Sequence, residues 1–181
     1  MSLNETPSAN RIHIGFYGKR NSGKSSLINA FTGQQVAIVS DVAGTTTDPV
    51  YKPMEVHGIG PCVFIDTAGV DDVGELGKMR VEKTEKAAEK TDIAVLLFSG
   101  EEYQAELEWF HYFKEKHTPT LCVLSKADTL TDSDAIAAQL KKEIKQEILV
   151  ISSKNKEDIE KFKEELIRLV PVSYTHLTLP T

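Results

Sequence analysis

Cysteine is nearly absent from this chain: Cys62 and Cys122 are the whole complement in 181 residues. They lie inside apolar runs, "PCVFID" and "TLCVLS". The pair has neither the close spacing of a metal-binding knuckle nor the number that staples a secreted scaffold. Both read as small buried residues of strands. Long apolar runs are missing too, since none approaches the ~20 residues that span a bilayer. The first segment, "MSLNETPSANR", lacks the apolar core of a secretion signal. A cytoplasmic location without membrane contact is the expectation. An excess of positive charge is likewise absent. Lys and Arg number 21 against 27 Asp and Glu, for a net charge of −6. Direct nucleic-acid binding over a broad surface is therefore not expected.

What is present suits one soluble domain with a full core: 40% of residues are apolar and 27% charged. Apolar runs alternate with helical patterns almost throughout. "RIHIGFYG", "VYKPMEVHG", "PCVFID", "TDIAVLLFSG", "PTLCVLSKAD" and "EILVISSK" read as strands. "GKSSLINAFTG", "GKMRVEKTEKAAEK", "AELEWFHYFKEKH", "SDAIAAQLKKEIKQ" and "KEDIEKFKEELIRLV" read as helices. In the last, Ile159, Phe162, Leu166 and Leu169 recur at helical spacing. "QQVAIVSDVAGTTTDP" reads as a long loop. The second and third strands, joined at "GIG", form an antiparallel pair with Pro53 on an edge. The expectation is a three-layer αβα fold around a mostly parallel six-stranded sheet with one antiparallel edge strand, ligands binding at the carboxyl ends of the strands. Residues 1–10 read as an extension and 11–170 as one domain. Residues 171–181, with the Thr-rich, uncharged "VSYTHLTLPT", read as a non-native tail or a broken gene product.

"GKRNSGKS", Gly18 to Ser25, fits G-x-x-x-x-G-K-S/T between a strand and a helix. Successive N–H groups of Asn21, Ser22, Gly23, Lys24, Ser25 and Ser26 can wrap phosphates, helped by the positive end of the helix. Lys24 neutralises the β- and γ-phosphates, and the Ser25 hydroxyl reaches Mg²⁺. Asp66, ending the strand in "VFIDTAG", holds the Mg²⁺ shell opposite Ser25. Gly69 offers its N–H to the γ-phosphate. In "AGTTTD" the Thr46 hydroxyl ligates Mg²⁺ while its N–H touches the γ-phosphate, so that loss of this phosphate releases the loop. Lys24, Thr46 and Gly69 are the expected catalytic groups. The plain alternatives are a Gly-rich turn, a strand-ending Asp and a chance Thr cluster. Their shared order at strand ends favours the phosphate reading. "SKAD" selects the base: Asp128 can accept from guanine N1–H and the exocyclic amine, for which adenine has no counterpart. The stem of Lys126 covers the base, and Ser153 and Lys154 of "ISSK" bracket its other side.

Together these motifs resemble the Ras-like, TRAFAC-class GTPases over residues ~12–170. "GKRNSGKSSLIN" and "AIVSDVAGTTTD" are similar to the bacterial tRNA-modification and Era-like branch. "NETPS", "GTTTDPVYK" and "IDTAGVDDVGELGKMRVEKT" more closely resemble the G domain of the hydrogenase-maturation GTPases, HydF. The tRNA-modification branch typically has Arg where this chain has Thr47. The resemblance implies slow GTP hydrolysis with Mg²⁺, pairing of two G domains, and service to radical maturase enzymes through domains outside this chain, including an iron–sulfur domain. No cluster is expected in this segment. Val70 stands where many switch loops carry a water-orienting Gln. The resemblance implies potassium in compensation, held by Asn21 and by carbonyls of Ser40 to Thr45, with Ser40, Val42 and Thr45 as its candidate ligands. The branch's water-positioning Glu aligns with Gly77. Asp71, Asp72 and Glu75 lie nearby, and no general base is assigned. The usual guanine motif begins with Asn, so Ser125, with its shorter hydroxyl, is expected to lose a bond to the base or the phosphate loop. Three readings follow: a hydrogenase-maturation G domain, a tRNA-modification or Era-like ribosome-assembly G domain, and a GTP-binding switch with negligible catalysis alone.

Overall fold

Six consecutive apolar residues, Ile93–Phe98, are all buried, and the fold is organised around them. The structure is a computed structural model that describes residues 11–19, 22–32, 49–67, 75–100, 102–125 and 132–170, with backbone alone for 75–81. The elements in chain order are β1 (Ile12–Gly18), α1 (Lys24–Thr32), β2 (Val50–Val56), β3 (Gly60–Asp66), α2 (Glu75–Glu89), β4 (Ile93–Phe98), α3 (Gln104–Glu115), β5 (Thr120–Leu124), α4 (Ser133–Ile144), β6 (Ile148–Val150) and α5 (Lys156–Leu169). They form a six-stranded sheet of order β2-β3-β1-β4-β5-β6. All neighbours are parallel except β2 and β3. The expected architecture is observed. Pro53 lies exposed on the edge strand β2, where its missing N–H removes no bond the sheet needs.

Alternation along β4 splits the core in two. Ile93, Val95 and Leu97 pack with Leu27 and Ile28 of α1 and Phe162 and Leu166 of α5. Ala94, Leu96 and Phe98 pack on the other face with Trp109 and Phe113 of α3 and Ile136 and Leu140 of α4. Phe162 and Leu166 have no exposed surface. Each such side chain contributes roughly 1.5–3 kcal/mol of apolar burial. Ile159 and Leu169, at the same spacing, are half-buried against that core. Cys62 and Cys122 are fully buried, free thiols in strands, as expected.

Gly15 explains how β1 passes through the centre. A side chain there would meet the Tyr17 ring at 2.6 Å and Thr91 Oγ1 at 2.7 Å. Its absence lets the Tyr17 hydroxyl share a 2.6 Å bond with Thr91 Oγ1. β6 is shorter than "EILVISSK" implied, ending at Val150. The chain turns at Ser152 because its N–H donates to Asp158 Oδ2 at 2.9 Å and not to a neighbouring strand.

Candidate nucleotide-binding site

Parallel strands bring their carboxyl ends to one edge of the sheet. Phe16 of β1 lies beside Asp66 of β3, Gly18 beside Leu97 of β4, and Phe98 beside Leu124 of β5. The residues that follow these ends make the site.

Beyond Gly18, Ser22 and Gly23 lead into α1. Ser22 N–H donates to the Lys19 carbonyl at 3.0 Å, and Leu27 N–H to the Gly23 carbonyl at 2.8 Å as α1 begins. Gly23 has φ +94°, a conformation that a side chain disfavours. Lys24 is buried, only 7% exposed. Its Nζ donates to the Gly18 carbonyl at 2.7 Å and the Lys19 carbonyl at 2.8 Å. Ser25 Oγ donates to Asp66 Oδ2 at 3.2 Å. Burial pushes the Asp66 carboxyl above its ordinary range, and Lys24 and the Ser25 hydroxyl pull it back only in part. A half-buried carboxylate short of positive charge, touching a hydroxyl, fits a hard divalent cation. Ser25 and Asp66 could therefore hold Mg²⁺. Ser26 is exposed on α1.

Ser125 corrects the expectation of a lost contact at the phosphate loop. It is buried, and its Oγ donates to the Ser22 carbonyl at 2.5 Å. Its N–H donates to the Phe98 carbonyl at 2.9 Å. Since β1 and β5 both flank β4, Ser125 sits close enough for a hydroxyl to do the tying. Ser152 is buried, Ser153 half-buried and Lys154 exposed in the turn after β6. The expected Asn21, Ser40, Val42, Thr45, Thr46, Gly69, Lys126 and Asp128 lie outside the described residues, as does Val70.

Sequence reasoning missed three supports. The buried Thr67 hydroxyl donates to the Phe16 carbonyl at 2.6 Å and fixes the chain just beyond Asp66. Asn155 caps α5, its Oδ1 accepting from Glu157 N–H at 2.9 Å and Asp158 N–H at 3.4 Å. Asp158 is the third. An Asn followed three residues later by an acid is a helix-start signature that marks the last two. Nothing local marks Thr67.

A buried lysine in a glycine-turned loop, a hydroxyl–carboxylate pair beside it and a mostly parallel αβα sheet define a P-loop nucleotide-binding domain of the Ras-like type. Residues 13–126 match the model of the family described as 50S ribosome-binding GTPase. The chain belongs to that family, as a GTP-binding G domain similar to those of MnmE and Der. It is 33% identical over 169 residues to the tRNA modification GTPase MnmE of Flavobacterium johnsoniae, covering 89% of this chain and 36% of that protein. It is 47% identical over 98 residues to the GTPase Der of Wolinella succinogenes, covering 52% of this chain and 20% of that protein. A variant of Aquifex aeolicus Era bound to GDP and aluminium fluoride superposes with a TM-score of 0.75 at 24% identity, covering 88% of this chain and 56% of that one. The chain thus spans about a third or less of the length of these curated relatives. Among the described residues, no helix is long and apolar enough to cross a membrane.

Proposed function

We propose that this domain hydrolyses GTP slowly, as a switch, with Mg²⁺ held by Ser25 and Asp66. The observation that carries this is the 3.2 Å Ser25–Asp66 contact beside a buried Lys24. Mg²⁺ would neutralise phosphate charge there. Lys24 exchanges its two carbonyl partners for phosphate oxygens. The loop from Ser22 to Ser25 presents N–H groups to the phosphates and excludes water behind them. Thr46 and Gly69 sense the γ-phosphate, and Asp128 selects guanine, with Lys126, Ser153 and Lys154 around the base. No residue is assigned as general base.

Val70 leaves the water-orienting position without a polar side chain. Potassium at Asn21 and the Ser40–Thr45 carbonyls would offset developing charge instead. Single-turnover GTP hydrolysis in potassium and in sodium buffer, with Asn21→Ala alongside, tests both ideas. Stimulation by potassium that disappears in Asn21→Ala supports the ion site. Equal rates in the two salts refute it, and absence of any turnover reduces the domain to a GTP-binding switch.

For the parent protein, the "NETPS", "GTTTDPVYK" and "IDTAGVDDVGELGKMRVEKT" segments support hydrogenase maturation in the cytoplasm, with radical maturases as partners. The relatives named MnmE and Der support the second reading, a tRNA-modification or ribosome-linked GTPase. The full-length gene, tested for rescue of hydrogenase activity against rescue of tRNA modification, separates the two.

A further inference from the structure

The turn after β6 has a weak foundation of its own. β6 is a three-residue edge strand, half-buried along its length. Yet Ser152, which follows it, is 7% exposed, so its N–H needs an internal acceptor. Asp158 Oδ2 supplies one at 2.9 Å. The Ser152 hydroxyl then accepts from Lys154 N–H at 3.3 Å, and the Ser152 carbonyl from Asn155 N–H at 3.1 Å. Ser152 is therefore the hub of the turn, and Asp158 holds its N–H from α5, outside the turn.

Asp158 is itself fixed. It sits in the first turn of α5, one turn before Phe162 and two before Leu166, both without exposed surface. Its carboxylate is not needed to cap that helix. Asn155 already takes the N–H groups of Glu157 and Asp158. An acid at a helix start also meets the favourable helix dipole, which holds the carboxylate in place without explaining why it reaches back to Ser152.

We propose that Asp158 is a positioning residue for base selection: through Ser152 it sets the turn Ser152–Lys154 against the nucleotide base. The inference rests on reading that turn as the base-facing segment. Rigid support from a core-anchored helix keeps the turn in one geometry, and selectivity against a wrong base depends on such fixed geometry. The triphosphate end of the site, built on β1, α1 and β3, is supported independently of Asp158.

The test is competition of GDP and of ADP against a fluorescent guanine nucleotide, on the whole chain, for the native protein, Asp158→Ala, Asp158→Asn and Asn155→Ala. In Asp158→Ala the GDP-over-ADP preference is expected to fall by about five- to tenfold, the scale of one lost hydrogen bond. Asp158→Asn keeps an acceptor oxygen and restores the preference, although it loses the charge that the helix dipole favours. Asn155→Ala lowers the melting temperature and leaves the preference intact. An unchanged preference in Asp158→Ala overturns the proposal, and so does an equal loss in Asn155→Ala, because helix capping alone would then account for it. A native chain with no guanine preference overturns the base-facing reading itself, an outcome visible before any variant is made.

Discussion

Removing the Ser125 hydroxyl isolates the contact that joins the end of β5 to the phosphate loop. Ser125 is 5% exposed and Ser22 1% exposed, and 2.5 Å separates the donor from the Ser22 carbonyl. Water cannot readily replace the lost donor at that depth. A typical hydrogen bond contributes about 0.5–1.5 kcal/mol net, and a buried partner left unsatisfied costs about 1–3 kcal/mol. Ser125→Ala is therefore expected to destabilise the nucleotide-free domain by about 1–2 kcal/mol, a fall in Tm of roughly 2–8 °C at this size. Nucleotide binding must then re-order a loop that is no longer tied down. Affinity for GDP should fall by about tenfold, equivalent to ~1.4 kcal/mol. Ser125→Asn carries a longer donor and should bind at least as tightly as the native chain. Thermal melting and titration with a fluorescent GDP analogue read the two effects separately. If Ser125→Ala melts and binds like the native protein, the contact is not holding the loop and the reasoning is wrong.

Three further outcomes follow from the site and the core. Because burial raises the Asp66 carboxyl above its ordinary range, its contribution is full below the unfolded value and is lost as pH rises through the folded value. Asp66→Asn should thus raise Tm at neutral pH, lose that gain in acid below the unfolded value, and abolish Mg²⁺-dependent GTP binding; a lower Tm at neutral pH would contradict the sign. Gly23→Ala forces a side chain into φ +94°, about 1–2 kcal/mol of strain, and calorimetry should show weakened GDP binding with the circular dichroism spectrum retained. Burial pushes the Cys62 and Cys122 thiols up to about 12, so a thiol reagent at pH 8 should label neither in the folded chain and both in denaturant. Rapid labelling without denaturant would refute the burial.

Most of the fold was legible because its elements are built from local repeats. The continuous apolar run of β4 and the helical spacing of Phe162 and Leu166 state their own burial. The Gly18 to Ser25 pattern is local for a related reason, since wrapping phosphate would fix residue types at fixed spacing, and within it the structure shows Gly23 at positive φ and Lys24 buried. Contacts between distant segments were not legible. Thr67 reaches a carbonyl 51 positions away, and Ser125 one 103 positions away. Whether a hydroxyl is long enough depends on how far apart two strands end, which no local pattern records. β6 ends earlier than its pattern implies for the same reason: "EILVISSK" continues the strand pattern, while Ser152 N–H bonds Asp158, six positions along and outside the sheet.

The ammonium of Lys24 is already solvated by protein, through main-chain oxygens at 2.7 and 2.8 Å. On the proposed function, polyphosphate capture at Lys24 would be a ligand exchange and not the dehydration of a free ammonium. Mobile ions screen a charge at that depth far less than they screen surface lysines. Affinity should accordingly vary little with ionic strength. A polypeptide of net charge −6 would then retain a polyanion in concentrated salt, because the attraction comes at short range from the buried Lys24 ammonium, the loop N–H groups and Mg²⁺ and does not depend on the sign of the molecule as a whole.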